Sequence, residues 1–323
     1  MRSRSQEDME RQVARCAILY YREGLQQAEI AKKLGISLAT VSRLLKIARD
    51  SGIIKIIVDP PRHLDLEFEL IKRWGLKDSR VVFVDGSESI PEILGMEAAS
   101  FVEDLIEKNG LRSIAVSGGT TMLEFAESLR RVERKDMVVY SMAAALPTST
   151  YLASNTIAGI IAAKWKARIF RYPFDDYVES IVPRKLIEDT LEGAKNADIM
   201  IMGIGNLSAD GRLMWLAKLG YGWVDLLSGP DSIKKLKKEL NAVGDVNFQI
   251  FDKDGNPIDS SHNVEHFVLS LKDIKAKVED GTSYVIGVAG GLEKAKAIKA
   301  ALKGRLINVL ITDYKVAQRL ASG

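Results

Sequence analysis

The sequence is poor in cysteine, in histidine and in long apolar runs, and each shortage removes a class of function. Cys16 is the only cysteine in 323 residues, which excludes an internal disulfide framework and a Cys-rich zinc site. No apolar run approaches the roughly 18–20 residues of a membrane span. The charged N-terminus, Met1-Arg-Ser-Arg-Ser-Gln-Glu-Asp, has no apolar h-region behind it, so no signal peptide is expected. These absences together point to the cytoplasm and to no membrane partner. His63, His262 and His266 are the only histidines, a thin supply for acid–base chemistry. A large excess of either charge is missing too, the net being +3.

What is present is an ordinary globular composition, 46% hydrophobic and 28% charged. The length favours two domains. The small net charge is unevenly placed. Residues 1–59 hold 11 Lys/Arg and 7 Asp/Glu, a net of +4 against about −1 for the remainder. A basic head on a near-neutral body hints at nucleic acid, although a solvated face has the same composition.

From Asp8 to Gly24, Val13, Ala14, Ala17, Ile18 and Tyr21 recur at three-and-four spacing, the pattern of an amphipathic helix. A second helix is expected from Gln26 to Leu34, with Ile30, Ala31 and Leu34 inward and Gly35 as its C-cap. Ser37 sits where an N-cap belongs, and a third helix carries Val41, Leu44, Leu45 and Ala48 on one face. Two helices joined by "LGIS" make a helix-turn-helix. Thr40, Ser42, Arg43 and Lys46 are left facing outward, where such a helix meets base edges and phosphates, and Arg49 is placed for the DNA backbone. Gln27 and Ser37, at the fronts of the second and third helices, complete the candidate DNA contacts. The alternative is a three-helix packing unit without DNA. "SGIIKIIVD", Ser51 to Asp59, is expected to be a strand and is a candidate wing. Pro60-Pro61 marks the boundary, giving a helix-turn-helix domain at 1–59 and an effector and oligomerisation domain at 60–323.

After the prolines, Leu64, Phe68, Ile71 and Trp74 line one side of a linker helix ending at Gly75. Strands are then expected at Val81–Val84, Ile114–Ser117, Met137–Ser141, Arg168–Tyr172, Ile199–Gly203, Tyr284–Ala289 and Asn308–Thr312. Helical stretches intervene, among them Ile93–Asn109, Met122–Leu129 and Leu292–Leu302. Short apolar strands alternating with helices imply a mostly parallel, Rossmann-like sheet covered on both faces, with ligands at the carboxyl ends of the strands.

Three strand ends carry unusual loops. Gly118-Gly119-Thr120-Thr121 enters a helix at Met122: glycines admit an anion to the backbone, threonines add hydroxyls, and the helix N-terminus favours negative charge. No Gly-Lys-Ser/Thr follows, so this is not a Walker loop. In "VAGGLEKAKAI", Val288 to Ile298, two glycines again follow a strand, and Lys294 falls in the first turn of the next helix, where its ammonium can neutralise a phosphate. "MGIGN", Met202 to Asn206, carries glycines suited to close packing. Asp245, beside Gly244, can accept hydrogen bonds from vicinal sugar hydroxyls. "DKDGNP" reads as a hairpin turn, too short for a calcium-binding loop.

Taken in order, these pieces resemble the SorC family of bacterial sugar-responsive transcriptional regulators over nearly the whole chain. The resemblance rests on the helix-turn-helix with "SGII" after it, on "SGGTTM", "GIG", "AVGDV" and "FDKDG", and on the tail "VAGGLEKAKAI…LINVLITDYKVAQRL". It implies an effector domain akin to the phosphosugar isomerase and deaminase fold, binding a phosphorylated sugar and altering affinity for double-stranded operator DNA. By that resemblance residues 118–121 match the phosphate cradle, Asp245 the acidic sugar-contacting position, and Lys294 the lysine after the double glycine. The Gly-Gly-Thr-Thr form of the first loop is similar to that of the glycolytic-gene regulators that sense fructose bisphosphate. Here, however, "SMAAALP" has no arginine where those regulators have one, and Arg212 is a substitute that the sequence does not place.

Helix-turn-helix proteins usually read two half-sites as symmetric dimers, so a homo-oligomer, dimer or tetramer, is expected through the C-terminal domain. Neither a cofactor nor a metal is implied. Two competing readings are an isomerase- or deaminase-like enzyme with an appended DNA-binding head, and an architectural DNA-binding protein without a ligand. The first needs an acid–base pair over the sugar. Asp245 supplies one candidate base with no second group beside it in the sequence, so no enzymatic activity is expected.

Overall fold

The computed structural model describes residues 4–54, 62–84, 89–143, 151–171, 184–207, 237–238, 240–258 and 268–322. The chain divides into two compact units, Met1–Pro60 and Pro61–Gly323.

The first unit packs α1 (Arg4–Tyr21), α2 (Gln27–Leu34) and α3 (Leu38–Asp50) around Val13, Cys16, Leu19, Ile30, Val41, Leu44 and Leu45. The inward face of α1 differs from the expected one. Cys16 and Leu19 are buried, whereas Ile18 and Tyr21 are 46% and 42% exposed. Val13 and Ala17 are buried as expected. However, α1 offers apolar side chains around more of its circumference than α2 and α3 can cover, so packing turns the buried face toward Cys16 and Leu19 and leaves Ile18 and Tyr21 in solvent. Residues Ser51–Ile54 form a turn, not the start of a strand. The N–H groups of Ser51, Gly52 and Ile54 donate to carbonyls of Ile47, Arg49 and Ala48, with Gly52 at φ +74°. These bonds satisfy the open carbonyls at the end of α3. The rest of the expected wing, residues 55–59, lies outside the described residues.

The second unit opens with α4 (Arg62–Trp74), which buries Glu67 and Leu70 and packs Leu66, Ile71 and Trp74 on the core. Phe68, expected on that inner side, is 69% exposed. The elements that follow are β1 (Asp78–Val82), α5 (Ile90–Asn109), β2 (Ser113–Val116), α6 (Thr120–Ser128), β3 (Val138–Ser141), α7 (Ser154–Trp165), β4 (Arg168–Phe170), α8 (Arg184–Lys195) and β5 (Ile199–Gly203). After these come β6 (Gly205–Asn206), β7 (Ala242–Val246), β8 (Gln249–Asp252), α9 (Leu271–Asp280), β9 (Tyr284–Val288), a 3-10 turn (Leu292–Lys294), α10 (Ala295–Lys303), β10 (Val309–Asp313) and α11 (Tyr314–Ala321).

The seven expected strands form one parallel sheet in the order β1-β10-β9-β5-β2-β3-β4. β1 begins three residues before its apolar run. It is an edge strand, so polar Asp78, Ser79 and Arg80 can pair with Val309, Leu310 and Ile311 on one side only. Alternate residues of the central strands face opposite layers. Ile114, Val116, Ile199, Ile201, Ile286 and Val288 pack under α5, α6 and α7. Ala115, Met200, Met202, Val285 and Leu310 pack under α4, α8, α9, α10 and α11. The fold is therefore a three-layer α/β sandwich with helices on both faces of a parallel sheet.

β6, β7 and β8 form a small antiparallel sheet. Its hairpin turns at Asn247 and Phe248, both at positive φ (50° and 65°). "DKDGNP" is a turn as expected: Asp252 Oδ1 accepts from the N–H groups of Asp254 and Asn256.

Candidate functional site

In the first unit the turn between α2 and α3 follows from its residues. Gly35 takes φ +67° and Ile36 N–H closes on Ala31 O. Ser37 caps α3, its Oγ accepting from Thr40 N–H at 3.1 Å and lying 2.8 Å from Thr40 Oγ1. Ser37 and Thr40 thus hold each other at the front of α3, which ties up part of their capacity to meet a ligand. Ser42, Arg43, Lys46 and Arg49 are exposed on α3, and Gln27 is half-buried at the start of α2. Cys16 is buried with its thiol toward Val41 O, and burial pushes that thiol above its usual pKa, so it is a core residue rather than a nucleophile.

In the second unit the three glycine-bearing loops leave adjacent strands, β2, β5 and β9, at the same end of the sheet. The first turns at Gly119, with φ +125°, and its N–H donates to Leu152 O. Leu123 N–H closes on Gly119 O, so the N–H groups of Thr120, Thr121 and Met122 have no carbonyl ahead of them within α6. Thr120 is exposed and Thr121 is 9% exposed. This is the arrangement that holds an anion.

Asp245 reaches the same corner through the small sheet. It pairs with Gly205 across β6 and β7, and a Cβ on Gly205 would lie 2.1 Å from Asp245 Oδ1. A Cβ on Gly244 would lie 2.6 Å from the Cβ of Ala297 on α10. The glycines of "GIG" and "VGD" therefore make room, one for the carboxylate and one for the helix behind it. Lys294 ends the 3-10 turn immediately before α10, rather than lying inside the helix. It is half-buried, and among the described residues no carboxylate forms an ion pair with it.

Three side chains that the motifs did not single out stitch the loops together. Ser117 Oγ accepts from Gly203 N–H and approaches Gly118 O, both at 3.3 Å, tying the first loop to the second. Asn206 Nδ2 donates to Glu293 O at 3.3 Å, tying the second to the third. Asp313, 4% exposed, accepts from Gly291 N–H at 2.7 Å through Oδ2, while its Oδ1 caps α11 by accepting from Lys315 and Val316. Only Asp313 carried a sequence signal, a carboxylate between a strand and a helix in "ITDYKVAQRL". Beside the second strand end, Ser154 Oγ donates to Val116 O and accepts from Met142 N–H, fixing the entry of α7. Arg212, His262 and His266 lie outside the described residues.

Comparison with known proteins covers both units. The family described as "Putative sugar-binding domain" matches residues 59–322, and the "Homeodomain-like domain" family matches residues 8–56. The chain is 30% identical to the deoxyribonucleoside regulator of Bacillus subtilis, over 95% of this chain and 96% of that protein. It is 28% identical to the sorbitol operon regulator of Klebsiella pneumoniae, over 96% and 97%. The crystal structure of that full-length Klebsiella regulator superposes with a TM-score of 0.66 at 26% identity, covering 96% of this chain and 98% of the other. Among the described residues, no helix is long and apolar enough to cross a membrane.

Proposed function

The chain belongs to the SorC family of transcriptional regulators, in which a helix-turn-helix is joined to a sugar-binding domain, and from that premise we propose that a phosphorylated sugar in the second unit sets its affinity for double-stranded operator DNA. The observation that carries the proposal is the joining of the three loops at one end of the sheet through Ser117 and Asn206. At that end of the sheet lie the N-terminus of α6, the turn that ends at Lys294 and, through its pairing with β6, the strand β7 of Asp245. Gly118 and Gly119 leave room for the phosphate, and Thr120 and Thr121 take it on backbone N–H groups and hydroxyls. Lys294 neutralises its charge, and Asp245 accepts from sugar hydroxyls. This is equipment for grip rather than turnover, so the protein acts as a receptor and not an enzyme.

On the DNA side, Thr40, Ser42, Arg43 and Lys46 meet base edges and phosphates, Arg49 the backbone, and Gln27 and Ser37 the flanks. Domain 1–59 binds DNA, and domain 60–323 binds effector and self-associates as a dimer or tetramer in the cytoplasm. Coupling requires that the sugar bind one arrangement of the DNA heads better than another. The test is a thermal-shift screen of phosphorylated sugars against the wild type, Thr121→Ala and Lys294→Ala. A ligand that stabilises the wild type and not the variants supports the site. Equal stabilisation of all three refutes it, and turnover of any hit converts the receptor into an enzyme.

A further inference from the structure

The DNA-facing side of α3 does not end at α3. Between α1 and α3 runs an open groove of about 750 Å³, walled by Asp8, Arg11 and Arg15 on one side and by Thr40, Arg43 and Leu44 on the other. Both walls follow helical spacing, with positions 8, 11 and 15 on one face of α1 and 40, 43 and 44 on one face of α3. Met9 and Gln12 also line the α1 wall and Ile47 the α3 wall; Met9 is 55% exposed.

The chemistry of the α1 wall is informative. A stripe of this spacing that packed against protein would be apolar, and the buried stripe of α1 is apolar (Val13, Cys16, Ala17). The groove-facing stripe instead carries two arginines. With Arg43 they make three guanidinium groups against one acid, Asp8. Guanidinium groups bind phosphate bidentately. Thr40 and Arg43 are also the side chains that the proposed function directs at DNA, so a ligand in the groove is continuous with the one that α3 reads.

We infer that the DNA site extends onto α1, where Arg11 and Arg15 hold backbone phosphates beside the base pairs met by Thr40 and Arg43. This rests on the reading of the first unit as a DNA-binding domain. Contacts to phosphate set register and affinity, and base contacts set sequence preference. Arg11 and Arg15 therefore strengthen binding to all duplexes alike.

The test is fluorescence anisotropy of the full chain with two duplexes, one enriched from a randomised pool and one of mixed sequence, across a salt series. Arg11→Gln/Arg15→Gln is expected to lower the slope of log K against log[salt] by about 2 for each DNA head engaged, and to weaken both duplexes about tenfold or more near physiological salt. The preference between duplexes is expected to be unchanged, as is the far-UV circular dichroism. Asp8→Asn is expected to tighten both. Lys108→Gln/Lys272→Gln, which removes two charges from the second unit, is expected to leave the slope unaltered. An unchanged slope in the double arginine variant, with the wild type binding normally, overturns the inference alone. Failure of the wild type to bind any duplex overturns the DNA-binding reading beneath it. A double variant that changes the oligomeric state in sedimentation instead assigns the groove to a second copy of the chain and also overturns the inference.

Discussion

Asp313 divides its two oxygens between tasks that one substitution separates. Oδ1 caps α11 and Oδ2 holds Gly291 N–H. Asparagine caps a helix about as well as aspartate, but its amide presents a donor where Gly291 needs an acceptor. Asp313→Asn is therefore expected to lower the melting temperature by several degrees, the scale of one lost charge-assisted hydrogen bond, and to weaken sugar-phosphate binding by loosening the Gly291 loop. Faster hydrogen exchange at the Gly291 amide, with the α11 amides unchanged, checks the mechanism without a ligand. Glu67 gives the pH prediction. Burial pushes its carboxyl above the ordinary carboxylate value, while the Val81 N–H bond and nearby Arg80 and His63 draw it partly back. The folded protein thus favours the neutral acid, and the associated stability is lost as pH rises through the raised pKa. Glu67→Gln keeps the acceptor for Val81 and removes the ionisation. It is expected to melt higher than wild type at neutral pH, the gap closing below about pH 4, as read by melting curves across pH. Glycines, threonines and Lys294 were legible as candidates because they stand in compositionally unusual loops, and Asp245 because it follows Gly244. Ser117 and Asn206 were not, because what each does depends on a neighbour 86 or 87 residues away.

At the scale of elements, the strands of the parallel sheet were visible as apolar runs because both faces of that sheet are covered. The small sheet was not. β6 has two residues, and β7 alternates buried and half-buried positions around Gly244, so neither resembles a run. Its placement depends on Asn247, whose Nδ2 donates to Met142 O at 2.9 Å and Leu269 O at 3.1 Å. Asn247→Gly tolerates the backbone at φ +50° and removes the clamp. Chemical denaturation is expected to show a loss of about 1–3 kcal/mol, together with a smaller sugar-phosphate shift, because the same hairpin carries Asp245. A shift of full size would mean that Asp245 is held elsewhere. The face of α1 was misread for a related reason: periodicity gives the period of an apolar stripe, and when two stripes are apolar only the neighbours choose between them.

For the whole molecule, the proposed coupling has a thermodynamic signature that needs no structure of a second state. If a sugar phosphate changes operator affinity by some factor, operator DNA must change sugar-phosphate affinity by the same factor. Titrations run in both orders on the full-length chain are expected to return one coupling constant. Unequal factors would require a further equilibrium, such as a change in oligomeric state.

The sequence by itself determined the local grammar. Helix periods, the Gly35 turn, the Ser37 cap, the glycine loops and the covered strands follow from interactions within a few residues, which neighbours in the chain specify directly. The tertiary structure decided which loops meet, that Gly205 must stay bare for Asp245, that Asp313 fastens the lysine-bearing loop, and that α1 turns its arginines toward α3. Those outcomes depend on strand order and helix rotation, which are set by packing among residues far apart in the chain.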